Sequence, residues 1–465
     1  MITDSVISNL LKSSPVILFA LQILVAYCIF FYSGDDTSNI TIAADNFVHN
    51  HMHPFYNYAY FTQCPNNLTM YAISIIIFKF ASIFHLNGYV LMVLIGIILT
   101  NFTVLLYSKI TALLGFNNRK TLLSFWFFAF LYGITPWMVV PYTDTYSMII
   151  PAIILYLYIK KEALLASSQN IIKIILLYSL ILLLGLNGYH LKALNIIIVI
   201  AILIVDIIRY ILQKNVKLIL VQLLTLLLCG TLSFFNYEAI KSFTHYHANQ
   251  HLELSLGYYL VTGSDFSTYG MWSQESVDFA SSFDTNSKEN SASLDLYLNR
   301  LHDAGPIGTI NHLKNKNLIF YGDGTLGFGK SGRQCGYIPP SSSRFVTFVR
   351  NIFYPPSNYG LYYWPSGYGK YFLWHAAIRQ MIWLLVLFYM LIYFLLNLRK
   401  KQEKKPLTMV LITSFIGIYL FTMLFEASSR LLLSYTPVFA MISALGIHQI
   451  TKIKTNYFSK KQKNR

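Results

Sequence analysis

The chain alternates long apolar runs with short polar tracts. Runs close to bilayer-spanning length cover residues 15–32, 68–84, 89–107, 122–140, 146–159, 171–186, 191–208, 218–235, 378–396, 407–425 and 431–447. Runs of this length and uniformity predict helices in lipid, where each backbone N–H must find its acceptor within its own segment. One long polar stretch between Asn236 and Ala377, rich in Ser, Gly, Asn and Tyr, interrupts the series. It must lie outside the bilayer. The pattern divides the chain into an N-terminal transmembrane core with a first outer loop (1–236), a large extracytoplasmic loop (237–376), and C-terminal helices with a basic cytoplasmic tail (377–465).

Charge sets the orientation. Lys12 and five clusters hold 21 of the 35 basic residues: Lys109 with Arg119 and Lys120; Lys160 with Lys161 and Lys173; Arg209 with Lys214 and Lys217; Arg399 to Lys405; and the tail from Lys452 to Arg465. Basic loops stay in the cytoplasm. Eleven crossings would put the Lys109–Lys120 cluster outside, whereas ten satisfy every cluster. The run to demote is 68–84, which carries Lys79 and follows the polar sequence QCPNN. It is expected to lie in the outer interface. The first run has no small-residue cleavage site after it, so an uncleaved first helix is expected. No internal repeat of the kind found in inverted-repeat transporters is evident.

Composition changes the picture in one respect. Of 465 residues, 55% are hydrophobic and 12% charged, with a mean hydropathy of +0.50. Soluble chains carry roughly 25% charged residues, so an ordinary cytosolic enzyme is excluded. The net charge of +16 would suggest nucleic acid in a soluble protein, but here the positive charge follows the loops. Cys28 and Cys229 lie in apolar runs, and Cys64 and Cys335 in polar ones. Two distant cysteines make no disulfide framework.

Four outer-side motifs carry candidate chemistry. YSGDDTSN places Asp35 and Asp36 directly after the first helix, and PYTDT places Asp144 at the same depth. A carboxylate there can take a proton from an acceptor hydroxyl. Lys192 in NGYHLKALN and Arg430 in EASSRLLLSY are cations on the side that positive charge avoids. Two cations at one depth suit an anion, and a lipid phosphate is the anion a membrane supplies. His49, His51 and His53 alternate before Pro54; with no cysteine or second histidine pair to complete a zinc site, His49 and His53 are read as polar substrate or interface contacts. GTLGFGKS at 324–331 matches the phosphate-loop pattern, but the SGRQCGYIPP that closes it denies the helix that pattern requires. The Tyr- and Trp-rich stretch 354–374 reads as an interfacial aromatic belt.

This arrangement resembles the GT-C superfamily of membrane glycosyltransferases, most closely the bacterial branch near the protein O-mannosyltransferases. GDD at 34–36 resembles that family's acidic pair after its first helix. PNN at 65–67 and the run after it resemble the lead-in to its juxtamembrane helix. YTDT at 142–145, NGYHLKAL with Lys192, SSR at 428–430 and YGDGT at 321–325 resemble its later outer turns, in the same order. Two positions depart: Asp36 stands where Glu is usual, and Ala193 follows Lys192 where Pro is common.

The resemblance implies an all-α bundle of about ten transmembrane helices with an in-plane outer helix and one large outer loop. It also implies a polyprenyl-phosphate-sugar-dependent transferase on the outer face of a bacterial cell membrane, acting on a cell-envelope glycan, glycolipid or protein. Asp35, Asp36 and Asp144 would be catalytic, with Asp35 favoured by its place in the motif. Lys192 and Arg430 would bind the lipid phosphate, and Asn67 and Tyr142 would contact substrate. A divalent metal is not required by the sequence. The rival readings are a polysaccharide polymerase or ligase, which would rely on outer arginines and histidines, and a lipid flippase or transporter, which would carry charges deep in several helices.

Overall fold

The computed structural model describes residues 4–49, 54–167, 171–249, 253–330, 335–359, 367–398 and 406–463. It is almost entirely helical. Helix α1 (Asp4–Cys28) runs to what is here termed the upper end of the bundle, where strand β1 (Tyr32–Ser33) leads into α2 (Asp35–His49), α3 (Pro54–Gln63) and α4 (Leu68–Ile83). Helix α5 (Gly88–Leu113) descends beside α1: the Tyr89 hydroxyl accepts the Ser33 N–H at 2.8 Å, while Asn101 donates to Gln22 at 3.0 Å.

Helix α4 is apolar and long enough to count among the eight candidate spans of the described residues. Its contacts nevertheless keep it at the upper end. The Tyr237 hydroxyl donates to the Pro65 carbonyl at 3.4 Å, and Lys79 lies 5.2 Å from the Phe243 ring. Along a helix those two partners are only about 9 Å apart, while Pro65 and Lys79 are separated by about 21 Å. Helix α4 therefore crosses the bundle end rather than running along it.

The next run departs from expectation. Residues 122–140 were expected to form one spanning helix. Instead α6 (Asn118–Phe128) passes into a π-helical turn at Ala129–Gly133 and then irregular backbone with a 3-10 turn at Pro136–Val139. Pro136 cannot donate to a helical ladder. The carbonyls freed by the break find buried side-chain donors: Gln22 donates to Gly133 at 2.7 Å, and Arg379 to Leu131 at 2.9 Å and to Ile134. Irregular backbone within an apolar bundle is tolerated only when it is satisfied in this way. The break carries the chain back to the upper end, where α7 (Thr143–Ser147) opens.

Helix α8 (Ile149–Ala166) then descends, α9 (Ile171–Leu191) rises, α10 (Ile196–Leu212) descends and α11 (Val216–Phe243) rises. At the lower end, Lys161 and Asp206, both buried, form an ion pair that Glu162 and Arg209 extend, with the Tyr158 hydroxyl donating to Asp206 at 3.1 Å. Lys161, placed by the sequence in a cytoplasmic basic loop, is instead buried in the bundle. Burial so close to lipid demands a counter-charge, and two acids against two bases supply it.

Helix α11 continues to Phe243 and α16 begins at Phe372, so the large loop is shorter at both ends than its polar composition suggests. It holds α12 (Leu256–Gly263), α13 (Gln274–Ser281), α14 (Asn286–Tyr321), strand β2 (Cys335–Tyr337) and α15 (Arg344–Phe353). The strand β2 pairs antiparallel with β1, and Arg350 on α15 donates to the Cys28 carbonyl at 2.9 Å, so the loop closes onto the end of α1. Helix α16 (Phe372–Leu398) descends beside α18 (Thr436–Lys463), with Gly446 packed on the Tyr389 carbonyl, and α17 (Pro406–Leu424) rises between them in sequence.

Candidate functional site

The first acidic turn is held in place from three directions. The bridge between β1 and β2 fixes Tyr32 and Ser33, and the Tyr89 hydroxyl lies 2.9 Å from the Ser33 hydroxyl. Asp35 then takes a left-handed conformation, φ 47°, as α2 begins. Few L-residues adopt it, and Asp is among those that tolerate it best. This kink turns the two acids apart. Asp35 is exposed, whereas Asp36 faces the bundle.

Asp36 is the wired carboxylate. Its Oδ1 accepts from the Tyr60 hydroxyl at 2.9 Å, and its Oδ2 lies 3.1 Å from the Tyr142 hydroxyl and 3.6 Å from the Arg430 guanidinium. Asn67 closes a ring, donating to the Tyr60 oxygen at 2.7 Å and presenting its own Oδ1 to Tyr142 at 3.1 Å. Tyr142 has one proton for two acceptors, so Asp36 and Asn67 share it. Burial and the Asp36 charge push both phenols above the ordinary tyrosine range, which keeps them donors. Asn67 and Tyr142, both buried, stand beside Asp36, Tyr142 bonded to it directly and Asn67 through the two phenols. Of the two adjacent acids the sequence favours Asp35, and it is Asp36 that the fold brings into the cluster.

Asp144 opens α7 with no exposed surface. Lys192, in the turn between α9 and α10, donates to its Oδ1, while its Oδ2 is buried without a hydrogen-bond partner. The Lys192 turn is tight because the Gly188 carbonyl accepts the Lys192 N–H at 2.8 Å, and a side chain at Gly188 would press on Ile150 and Asn195 at 3.2 Å. Burial lowers the Lys192 amine, and Asp144 opposes that shift. Arg430 lies in the 3-10 turn Ser429–Leu432, with its guanidinium 5.8 Å from the Tyr142 ring centre. Burial works against its charge, but Asp144, Tyr142, Asp36 and Glu426 together raise it.

Asp36, Asp144, Lys192 and Arg430 thus meet at one end of the bundle from four separate turns. Each cation already faces a carboxylate, rather than standing bare for a phosphate as the sequence suggests. Chemically, the group offers a half-exposed carboxylate with two phenol donors, beside two cations whose counter-charges are internal.

Sequence reasoning missed Tyr60 and Glu426. Glu426 belongs to the same EASSR motif as Arg430, and its carboxyl is raised by burial while Arg430 and Lys192 oppose that. The signal available was an acid and a base in one short turn between two apolar runs.

Other candidates stay away. His49 ends α2, with its Nδ1 3.0 Å from the Asp45 carbonyl, far along the helix from Asp36. His53 lies outside the described residues. Residues 324–330 form turns rather than a helix start, organised by Asp323, which accepts the Thr325 and Gly327 N–H groups at 2.9 and 3.1 Å. All four cysteines are free thiols. Among the described residues no three His, Cys, Asp or Glu side chains gather as metal ligands.

Comparison with known proteins gives one result. A family model described as "conserved hypothetical integral membrane protein" matches residues 3–451. No curated protein and no solved structure matches the chain.

Proposed function

We propose that this chain, which belongs to that family of conserved hypothetical integral membrane proteins, is an inverting GT-C-type glycosyltransferase using a polyprenyl-phosphate sugar. The observation that carries the reading is the convergence of Asp36, Asp144, Lys192 and Arg430, drawn from turns nearly four hundred residues apart in sequence, in the order the GT-C resemblance requires. Ten crossings support the location. Helices α1, α5, α6 with its irregular extension, α8 to α11 and α16 to α18 would span, and α4 would lie in the outer interface. That count puts the basic clusters in the cytoplasm and the ion cluster on the outer face of a bacterial cell membrane.

In this reading the donor phosphate binds against Lys192 and Arg430. The acceptor hydroxyl oxygen bonds to the anomeric carbon from the opposite face, and Asp36 takes its proton. The bond from that carbon to the phosphate oxygen breaks, and the electron pair leaves with the lipid phosphate. Negative charge on the phosphate grows during this step, so the cations act mainly in the transition state. Asp144 and Asp36 hold the two cations in position before the donor arrives.

A flippase or transporter reading draws on the buried Lys161–Asp206 network. That network lies at the opposite end of the bundle and is balanced internally, so it favours a clamp between α8 and α10. The discriminating experiment incubates the purified protein with a panel of polyprenyl-phosphate sugars and envelope acceptors, measuring lipid phosphate released. Release with at least one sugar supports transfer; translocation of a labelled lipid in proteoliposomes with no release would replace it.

A further inference from the structure

One buried amine joins the α12 and α14 part of the large loop to the turn after α17. Helix α14 kinks at Gly305, φ 61°, before Pro306, and in its second half His312 and Lys316 stand on one face. Lys316 is fully buried, and its Nζ donates to the carbonyls of Gly263 at 2.9 Å, Met423 at 2.8 Å and Phe425 at 2.7 Å. Three protons meet three acceptors. Gly263 closes α12, while Met423 and Phe425 flank the last residue of α17, so the amine sits where two helices present their negative ends.

The approach is close enough to exclude side chains. A Cβ on Gly263 would lie 2.2 Å from the Leu424 carbonyl oxygen. One step further on, the Ala427 N–H donates to the Gly270 carbonyl at 2.6 Å, and Gly270, φ 83°, leaves room for the Lys316 stem. His312 adds a second donor to the Gly263 carbonyl at 2.9 Å and stacks on Phe266. Every one of these contacts falls on the five residues 423–427 or on the loop segment facing them. The same turn carries Glu426 and, after Ser428 and Ser429, Arg430.

We propose that Lys316 is a positioning residue for the ion cluster: its three carbonyl bonds dock α12 and α14 onto the turn after α17 and thereby fix where Glu426 and Arg430 stand. Its effect on transfer rests on the glycosyltransferase reading, but the docking does not. Two groups of the turn leave it room to shift. The Ser428 hydroxyl is buried without a partner, and Arg430 reaches Asp36 only at 3.6 Å.

The test uses the full chain with its four native cysteines replaced by Ala and a single reporter, Ser428→Cys. A membrane-impermeant maleimide should label this buried position slowly when Lys316 is present. Lys316→Gln keeps two donors and should speed labelling a few-fold; Lys316→Met keeps none and should speed it at least tenfold. Should Lys316→Met fail to yield folded protein, the Gln variant alone decides. Labelling that stays at the parental rate in folded Lys316→Gln overturns the docking. With a donor that turns over, the Gln variant should lower kcat more than it raises KM, because the displaced Arg430 is needed mainly as charge grows on the leaving phosphate. Unchanged donor kinetics alongside faster labelling would overturn the positioning role. A parent protein that turns over no donor would count against the glycosyltransferase reading, and labelling would still decide the docking.

Discussion

Removing the Lys192 charge tests how the cluster is balanced. Asp144 has no exposed surface, one oxygen already lacks a partner, and the other depends on Lys192, whose side chain is itself only 9% exposed. Lys192→Met therefore leaves a buried carboxylate without a side-chain hydrogen bond and with Arg430 as its remaining nearby counter-charge. Breaking a buried pair from one side typically costs about 3–5 kcal/mol, and the unpaired Oδ2 places this case toward the upper figure. Asp144→Asn should cost less, because the amide oxygen still accepts from the ammonium. The double variant replaces both charges and should recover much of the loss, falling short of the sum of the single losses by about 2–3 kcal/mol. Unfolding of the purified protein in mixed micelles, followed by tryptophan fluorescence as denaturing detergent is titrated in, gives the four corners of this cycle. Additivity to within about 0.5 kcal/mol would refute the pairing.

Three further outcomes follow from the same geometry. Single cysteines placed at Ser287 and Ser459 should divide by side: an impermeant reagent applied to intact cells should reach the first, which is exposed on α14, and miss the second; labelling at 459 would break the ten-crossing topology. Burial, with Asp36 and Glu426 adding to it, pushes the Cys64 thiol up to about 12. In a variant whose other cysteines are Ala, its alkylation should keep climbing with pH beyond 9, where an ordinary thiol of pKa about 8.5 levels off, and a plateau near 9 would contradict the buried setting. Arg379→Leu strips the donor from the Leu131 and Ile134 carbonyls at the break after α6. It should destabilise the fold by about 1–3 kcal/mol for each carbonyl left bare, and an unchanged unfolding midpoint would mean that water or another donor serves them.

Much of this organisation is legible in the chain because lipid makes polar residues conspicuous. Asp144, Lys192 and Arg430 stand out as charges beside apolar runs, and the parity of the basic clusters, with Lys79 and the polar QCPNN lead-in, points to the 68–84 run. Their pairing is not legible: that Lys192 reaches Asp144 depends on the turn at Gly188 and on the break after α6, and the run 122–140 gives no sign of a π turn because its side chains are as apolar as those of a regular helix. Choosing between Asp35 and Asp36 depends on a single left-handed residue, which motif position cannot reveal. Lys316 is hidden for the opposite reason. In a polar stretch a lysine resembles any solvated charge, and only the packing of α14 on α17 buries it.

The account stands or falls on Asp36 as the proton acceptor. Turnover of a polyprenyl-phosphate sugar by Asp36→Asn, set against Asp35→Asn in the same preparation, measures that directly. Both variants should insert and fold, since one acid is exposed and the other, as an amide, keeps the Tyr60 donor on its oxygen while Tyr142 can donate to Asn67. General-base catalysis is worth about 10²- to 10⁴-fold, so Asp36→Asn should fall at least a hundredfold in kcat while Asp35→Asn stays within a few-fold of the parent. Near-parental turnover by Asp36→Asn would contradict the assignment.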